Sequence, residues 1–432
     1  MIHLTLAAFA ALSLVQAPAA APQEQWTLPE LERLSREIQA QIEELRGERF
    51  KGPVAVRLAS REDLVTYMKQ RIEKSTSPEL LRADGDVAKL LGVFPVDQDL
   101  LEVQFRFLEA QVAGFYDPDS DSFSLMDSTP RDLARIVMAH ELAHALDDQL
   151  YDIDGTLAKL GGDSDAVMAF HAVVEGSGTG VMNRWMLAHM GTLDTSAVNE
   201  SQKLQLDSLS DAPAWLWKPT LAAYLQGAAF LSRNDAWLAG QTAKVANADI
   251  AAAFAKPPRS TEQVLHSAKY WSEAELDEPT RLAFELRELP EGWQSLRQDT
   301  LGEFAASIVA SPSDERGGLD LSSGPMAVMG VRFGNEIAKG WDGDRVILLG
   351  AGNARVLRWT TVWDSERDAA EFFGAMSLRR GELTAAARAF GGGAADVDVE
   401  YGADTRTVEL RISAGVKSTA ARKVFRAIEL AR

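Results

Sequence analysis

The 432-residue chain contains no cysteine. That absence excludes disulfides, thiolate metal sites, cysteine nucleophiles and a lipid anchor on an N-terminal cysteine. Uninterrupted apolar runs of about 18 residues, the length that spans a bilayer, are also missing, so no membrane span is expected in the mature chain. Basic residues are few relative to acids: 44 Lys and Arg against 63 Asp and Glu leave a formal charge of -19. With no Lys/Arg cluster to set against phosphates, a nucleic-acid partner is excluded, and the acidic balance reads as solubility. What is present suits a folded globular chain of two or three domains, with 46% hydrophobic residues for a core and 25% charged residues of mixed sign.

The first residues carry a short apolar stretch, Leu4 to Val15, followed by small residues at Ala17-Pro18-Ala19. This is too short for a span and reads as a signal peptide over residues 1–19, although its start offers only the terminal amine and His3 as positive charge. The expectation is an exported protein, periplasmic or secreted.

The pattern that follows predicts an α+β fold. Thr27-Leu28-Pro29-Glu30 reads as a capping box opening a helix with Leu31, Leu34 and Ile38 on one face. A short strand is expected at Pro53 to Leu58, and a β-hairpin from Gly114 to Leu125 around Asp117-Pro118-Asp119-Ser120-Asp121. Helices are expected over Pro130 to Leu150, over Ser164 to Met190 and through most of the chain to about Ala310. The Ser-, Gly- and Pro-rich segment 311–325 is the expected linker between a mainly helical domain, 26–310, and a small α+β domain, 326–432. That second domain reads as a helix near Met326 to Lys339 followed by a ββαββα-like pattern, with Gly350-Ala351-Gly352-Asn353 as its first turn.

The segment with chemical content is His140-Glu141-Leu142-Ala143-His144. Residues four apart lie on one helix face, so both imidazoles reach a single ion, and Glu141 falls beside that ion's open position. Zinc lowers the pKa of a water it binds to about 7, and a neighbouring carboxylate then takes the proton as the water attacks a carbonyl. A hydrolytic zinc site needs a third protein ligand, and Glu175, in the apolar run Val173-Val174-Glu175, is the leading choice. His171, four residues earlier on the same face, is the alternative, or else a core histidine. Asp163 and Asp165 suit a capping role better. Asp148, four residues past His144, either orients that imidazole or is solvated. Asp117, Asp119 and Asp121 alternate as calcium ligands do, but Ser122 and Ser128 stand where a calcium loop needs Gly and Glu, so a turn is expected.

From Gly114-Phe115-Tyr116-Asp117-Pro118, through His140 to Gln149, to Val174-Glu175-Gly176, the chain resembles a largely uncharacterised group of bacterial gluzincin-like zinc metallopeptidases, which typically have Gln where this chain has Asp147. The likeness continues through Tyr224-Leu225-Gln226-Gly227, Pro257 to His266, Lys269-Tyr270 and Gly340 to Arg345. It implies a zincin-like domain that hydrolyses a peptide or protein substrate, with Glu175 as third zinc ligand. It also implies that Tyr224, His266 or Tyr270 steadies the tetrahedral oxyanion. Thr179 departs from the pattern, because many gluzincins place Asp four residues after the ligand Glu. Two other readings stay open: a degenerate zinc-binding protein that acts as an interaction module, and a zinc hydrolase of a non-peptide amide.

Overall fold

The computed structural model describes residues 26–193, 207–402 and 404–431. The signal peptide expected over residues 1–19 lies outside them. The fold is mixed α+β, with small sheets among many helices. No helix among the described residues is long and apolar enough to cross a membrane.

Helix α1 (Leu28–Arg46) opens on the expected capping box, in which Thr27 donates from its backbone N–H and its hydroxyl to Glu30 at 3.1 and 2.7 Å. Its buried face, Leu31, Ile38 and Ile42, shares an apolar core with α5 (Arg131–Tyr151). Strand β1 (Ala55–Ala59) precedes helices α2 (Arg61–Ser75), α3 (Pro78–Leu90) and α4 (Leu100–Gln111). Strands β2 (Gly114–Asp117) and β3 (Ser122–Met126) form the expected hairpin, and β1 joins it in parallel, giving the order β1-β3-β2.

After α5 come α6 (Ile153–Leu160), the long α7 (Ser164–His189) and α8 (Ala214–Leu231). Helices α7 and α8 cross almost backbone to backbone. A Cβ on Gly227 would stand 2.1 Å from the Ala172 carbonyl oxygen, and one on Gly176 would stand 2.4 Å from the Gly227 carbonyl carbon. Short helices follow: α9 (Trp237–Thr242), α10 (Asn247–Ala255), α11 (Thr261–Leu265) and α12 (Ala268–Trp271).

The C-terminal part is a five-stranded antiparallel sheet in the order β5-β6-β7-β9-β8, built from β5 (Gln294–Asp299), β6 (Trp341–Ala351), β7 (Ala354–Trp363), β8 (Ala395–Tyr401) and β9 (Thr407–Ala414). Helix α13 (Gly302–Ala310) follows β5, and α14 (Glu366–Gly391) covers one face, its Phe372 against Trp359 and Trp363. On the other face lie α15 (Ser418–Phe425) and a ribbon of β4 (Ala283–Leu286) with β10 (Ile428–Ala431). Thus β4 and β5, which precede the expected linker, are hydrogen-bonded to strands that follow it. One apolar core runs from Ala59 through Trp215 and Phe304 to Ala414.

The helix expected near Met326 to Lys339 is corrected. A 3-10 helix occupies Leu321–Gly330, and the chain turns beyond it. Gly330 and Gly334 interrupt the helical pattern, while Asn335 donates to the Ser307 carbonyl at 2.8 Å and accepts from the Ala338 N–H at 2.9 Å.

The α7–α8 crossing makes a prediction of opposite signs. Gly227→Ala forces the helices apart and is expected to cost about 1–3 kcal/mol, as overpacking does. Gly374→Ala in α14, where a Cβ meets nothing within 4 Å, is expected to gain up to about 1 kcal/mol from helix propensity. Urea denaturation of the two variants beside wild type measures both.

Candidate metal centre

Helix α5 presents His140 and His144 one turn apart, and α7 brings Glu175 against them. The two Nε2 atoms are 2.8 Å apart, and Glu175 Oε2 lies 3.1 Å from that of His140 and 3.3 Å from that of His144. All three side chains are buried. Tetrahedral zinc at about 2.0–2.2 Å from N and O donors sets those donors about 3.3 Å apart, so this triangle matches one face of such a site with little adjustment. Two imidazoles and one carboxylate, with Glu141 and a small cavity beside them, are a donor set that could hold a metal ion.

Gly178 makes the approach of the two helices possible. A Cβ there would stand 2.8 Å from Cε1 of both His140 and His144. The run Gly176-Ser177-Gly178-Thr179-Gly180 is a sequence signal that could have marked this contact.

Glu141 is held at one oxygen only. Its Oε2 accepts the Tyr116 backbone N–H from β2 at 2.8 Å, and its Oε1 is buried without a partner. Burial raises its pKa to about 8, with Glu175 adding to the rise and His144 opposing it. Beside it is a cavity of about 20 Å3 bordered by Tyr116, Glu141, His144, Asp154 and Val174, room for about one water. Asp154 on its border is gripped by Arg71 through two bonds of 2.9 Å.

The electrostatics of the triangle centre on Glu175. Burial would raise its pKa, but the imidazoles hold it well below the carboxylate range. Burial would likewise depress His144, yet the Glu175 carboxylate raises it to about 9, while burial and the neighbouring ring keep His140 low. The site therefore holds one fixed negative charge that a cation or proton must balance.

Of the two readings of Asp148, the one in which it orients His144 is overturned. Its carboxylate accepts the Tyr116 hydroxyl at 3.2 Å and the Ile153 N–H at 2.9 Å, and His144 Nδ1 has no hydrogen-bond partner. The Thr179 hydroxyl is buried without a partner and does not support Glu175. The support that sequence reasoning missed comes from behind. Arg46, the last residue of α1, donates to Asp147 at 2.6 Å and to Ser177 Oγ at 3.0 Å, and the Ser177 hydroxyl donates to Asp147 at 2.5 Å. An arginine before a glycine at a helix end looks solvated in sequence, so nothing marked Arg46 as buried.

His171 is buried near the centre, its pKa lowered to about 4 by desolvation, but it is outside the group of converging donors. Tyr224 is at the site: its ring lies 5.6 Å from that of His140 at an interplanar angle of 27°. His266 and Tyr270 make their contacts elsewhere. His266 bonds Glu303 at 2.9 Å, and the Tyr270 hydroxyl donates to the Lys256 carbonyl at 2.6 Å while its ring packs on Phe230 and Trp271. A second group of converging carboxylates, Glu262, Asp277 and Asp364, surrounds the Lys269 ammonium at 2.5, 2.7 and 2.8 Å. The lysine supplies its cation.

A family model described as a domain of unknown function, DUF8575, matches residues 287–422. The matched stretch runs from β5 into α15 and leaves out His140, Glu141, His144 and Glu175. No curated protein and no solved structure matches the chain.

The buried Arg46–Asp147 pair, 2% and 0% exposed in its side chains, yields the next prediction. Arg46→Met strands a buried carboxylate and is expected to cost about 3–5 kcal/mol, whereas Arg46→Met with Asp147→Leu recovers most of that loss. Equal unfolding midpoints for single and double variants would show that the pair does not brace these helices.

Proposed function

We propose that the chain is an exported zinc-dependent metallopeptidase with a zincin-like catalytic domain, acting on peptide or protein substrates. The observation that carries this reading is the triangle of His140, His144 and Glu175 donor atoms with the partnerless Glu141 oxygen and a one-water cavity beside it. His140, His144 and Glu175 would hold the ion, which when bound supplies a Lewis acid that polarises water and carbonyl.

The chain's own groups do the rest. Glu141, fixed through one oxygen by the Tyr116 N–H, takes the water's proton on its other oxygen and passes it to the leaving amine. Tyr224, whose ring lies 5.6 Å from that of His140, would donate to the oxyanion, while His266 and Tyr270 make their contacts elsewhere. An intact Glu141 favours this reading over a purely structural zinc site, which has no use for that carboxylate.

Two experiments test it. In metal analysis and casein hydrolysis run side by side, Glu141→Ala is expected to keep about one zinc per chain while losing about 10²–10⁴ in rate. Glu175→Ala is expected to lower zinc content itself, and full occupancy in that variant removes Glu175 from the ligand set. For the oxyanion, Tyr224→Phe is expected to lower kcat by about 10²–10³ with little change in KM. An unchanged kcat makes Tyr224 a packing residue for His140.

A further inference from the structure

The face of the five-stranded sheet turned away from α14 is half apolar and half polar. Ile347, Leu349 and Val356 receive Val424, Ile428 and Phe284 from α15, β10 and β4. Over β8 and β9 the apolar packing stops, and a groove of about 570 Å3 opens between the sheet and α15. Small-molecule sites occupy roughly 300–1,000 Å3.

The floor of the groove is charged but balanced within itself. Alternate strand residues point the same way, which puts Arg358, Glu409, Arg411 and Glu400 on this face. They form one chain of ion pairs: Arg358 to Glu409 at 2.5 Å, Glu409 to Arg411 at 2.6 Å and Arg411 to Glu400 at 3.0 Å. Asp398 on the rim is taken by Arg380 at 2.9 Å.

Ser413 is 1% exposed, and its hydroxyl has no hydrogen-bond partner. Asp396 sits directly opposite Ser413 in the β8–β9 register, and across the groove Arg422 and Arg426 line the α15 wall. Asp396, Arg422 and Arg426 form no ion pair among the described residues. The groove thus offers a carboxylate and a buried hydroxyl on one wall and two guanidinium forks on the other.

We propose that this groove binds a zwitterionic ligand of the short-peptide class, with its ammonium on Asp396 and the Ser413 hydroxyl and its carboxylate on Arg422 and Arg426. An anion alone would face the Asp396 carboxylate and a cation alone two guanidiniums. A ligand bearing both charges gains at both walls, and a guanidinium fork matches a carboxylate's two oxygens. The volume exceeds one amino acid, and each added residue extends the reach by about 3.3–3.6 Å. None of these groups belongs to the metal centre, so the proposal stands or falls without it.

Equilibrium dialysis of labelled trialanine against the full chain tests this, in a Glu141→Gln background to prevent turnover. Binding is expected to weaken at least about tenfold in Arg422→Gln/Arg426→Gln and in Asp396→Asn, a loss of 1.4 kcal/mol or more. Acetylating the amine or amidating the carboxylate of the peptide should each produce a similar loss. No binding of trialanine overturns the proposal. So does equal binding by wild type and variants, or an affinity for inorganic phosphate that matches the peptide's and is indifferent to Asp396→Asn, which would make the groove a plain anion site.

Discussion

A single carboxylate, that of Glu175, sets the terms for the centre of this molecule. It is buried among apolar side chains where an uncompensated charge is prohibitively costly, and the groups that answer it are two imidazoles on a neighbouring helix. Every feature around it serves that meeting. Gly178 removes the side chain that would hold the rings away, and Gly176 with Gly227 lets α8 close in from the other side, bringing Tyr224 onto His140. Against the effect of burial, the Glu175 carboxylate raises the His144 pKa to about 9, and the imidazoles in turn hold the carboxylate strongly acidic.

The same economy governs the layer behind. Asp147 points away from the triangle into a second buried pocket, where Arg46 and Ser177 neutralise it. Fewer than two turns of α5 therefore carry two buried acids, Glu141 toward the cavity, held by the Tyr116 N–H, and Asp147 toward α1, paired with Arg46. A buried ion pair contributes little net stability, since desolvation offsets attraction, but it fixes which helix faces meet. Here it fixes the rotation of α5 and α7 about their axes, and so the direction in which the imidazoles point.

Local pattern made much of this legible. The capping box at Thr27, the hairpin around Asp119 and the one-turn spacing of His140 and His144 are short-range features that a chain reveals before it folds. Glu175 stood out because a charge in an apolar helix demands an explanation. Long-range pairings left no such trace. Nothing in Ala55–Ala59 shows that it will pair in parallel with β3, and nothing in Ala283–Leu286 shows that the last strand of the chain will be its partner. The segment after Pro325 misled for a related reason: apolar residues recur there at helical spacing, but Gly330 and Gly334 remove the backbone preference that would turn spacing into helix. Asp148 showed how spacing offers alternatives it cannot rank. A residue four past His144 reaches either the ring or the next turn's N–H, and the sharp bend into α6 gave it Ile153 instead.

The C-terminal sheet also bears on the site, through the end of α7. Asp299, on β5, accepts both the backbone N–H and the hydroxyl of Ser164 at 2.9 and 2.6 Å, fastening the first turn of α7 to the sheet. One residue on, Asp165 accepts the Thr261 N–H and hydroxyl, which ties in α11. Asp344 of β6 receives the N–H groups of Leu301 and Gly302, so the segment that leads out of β5 is pinned as well. Carboxylates near a helix N-terminus complement its dipole and its unpaired N–H groups. Asp299 and Asp344 do so from strands that lie within the stretch matched by a domain of unknown function. The helix that bears Glu175 is thus held at its start by the C-terminal sheet and at its middle by Arg46 and Gly227. The distance between Glu175 and the two imidazoles is a property of the whole chain rather than of the helical part alone.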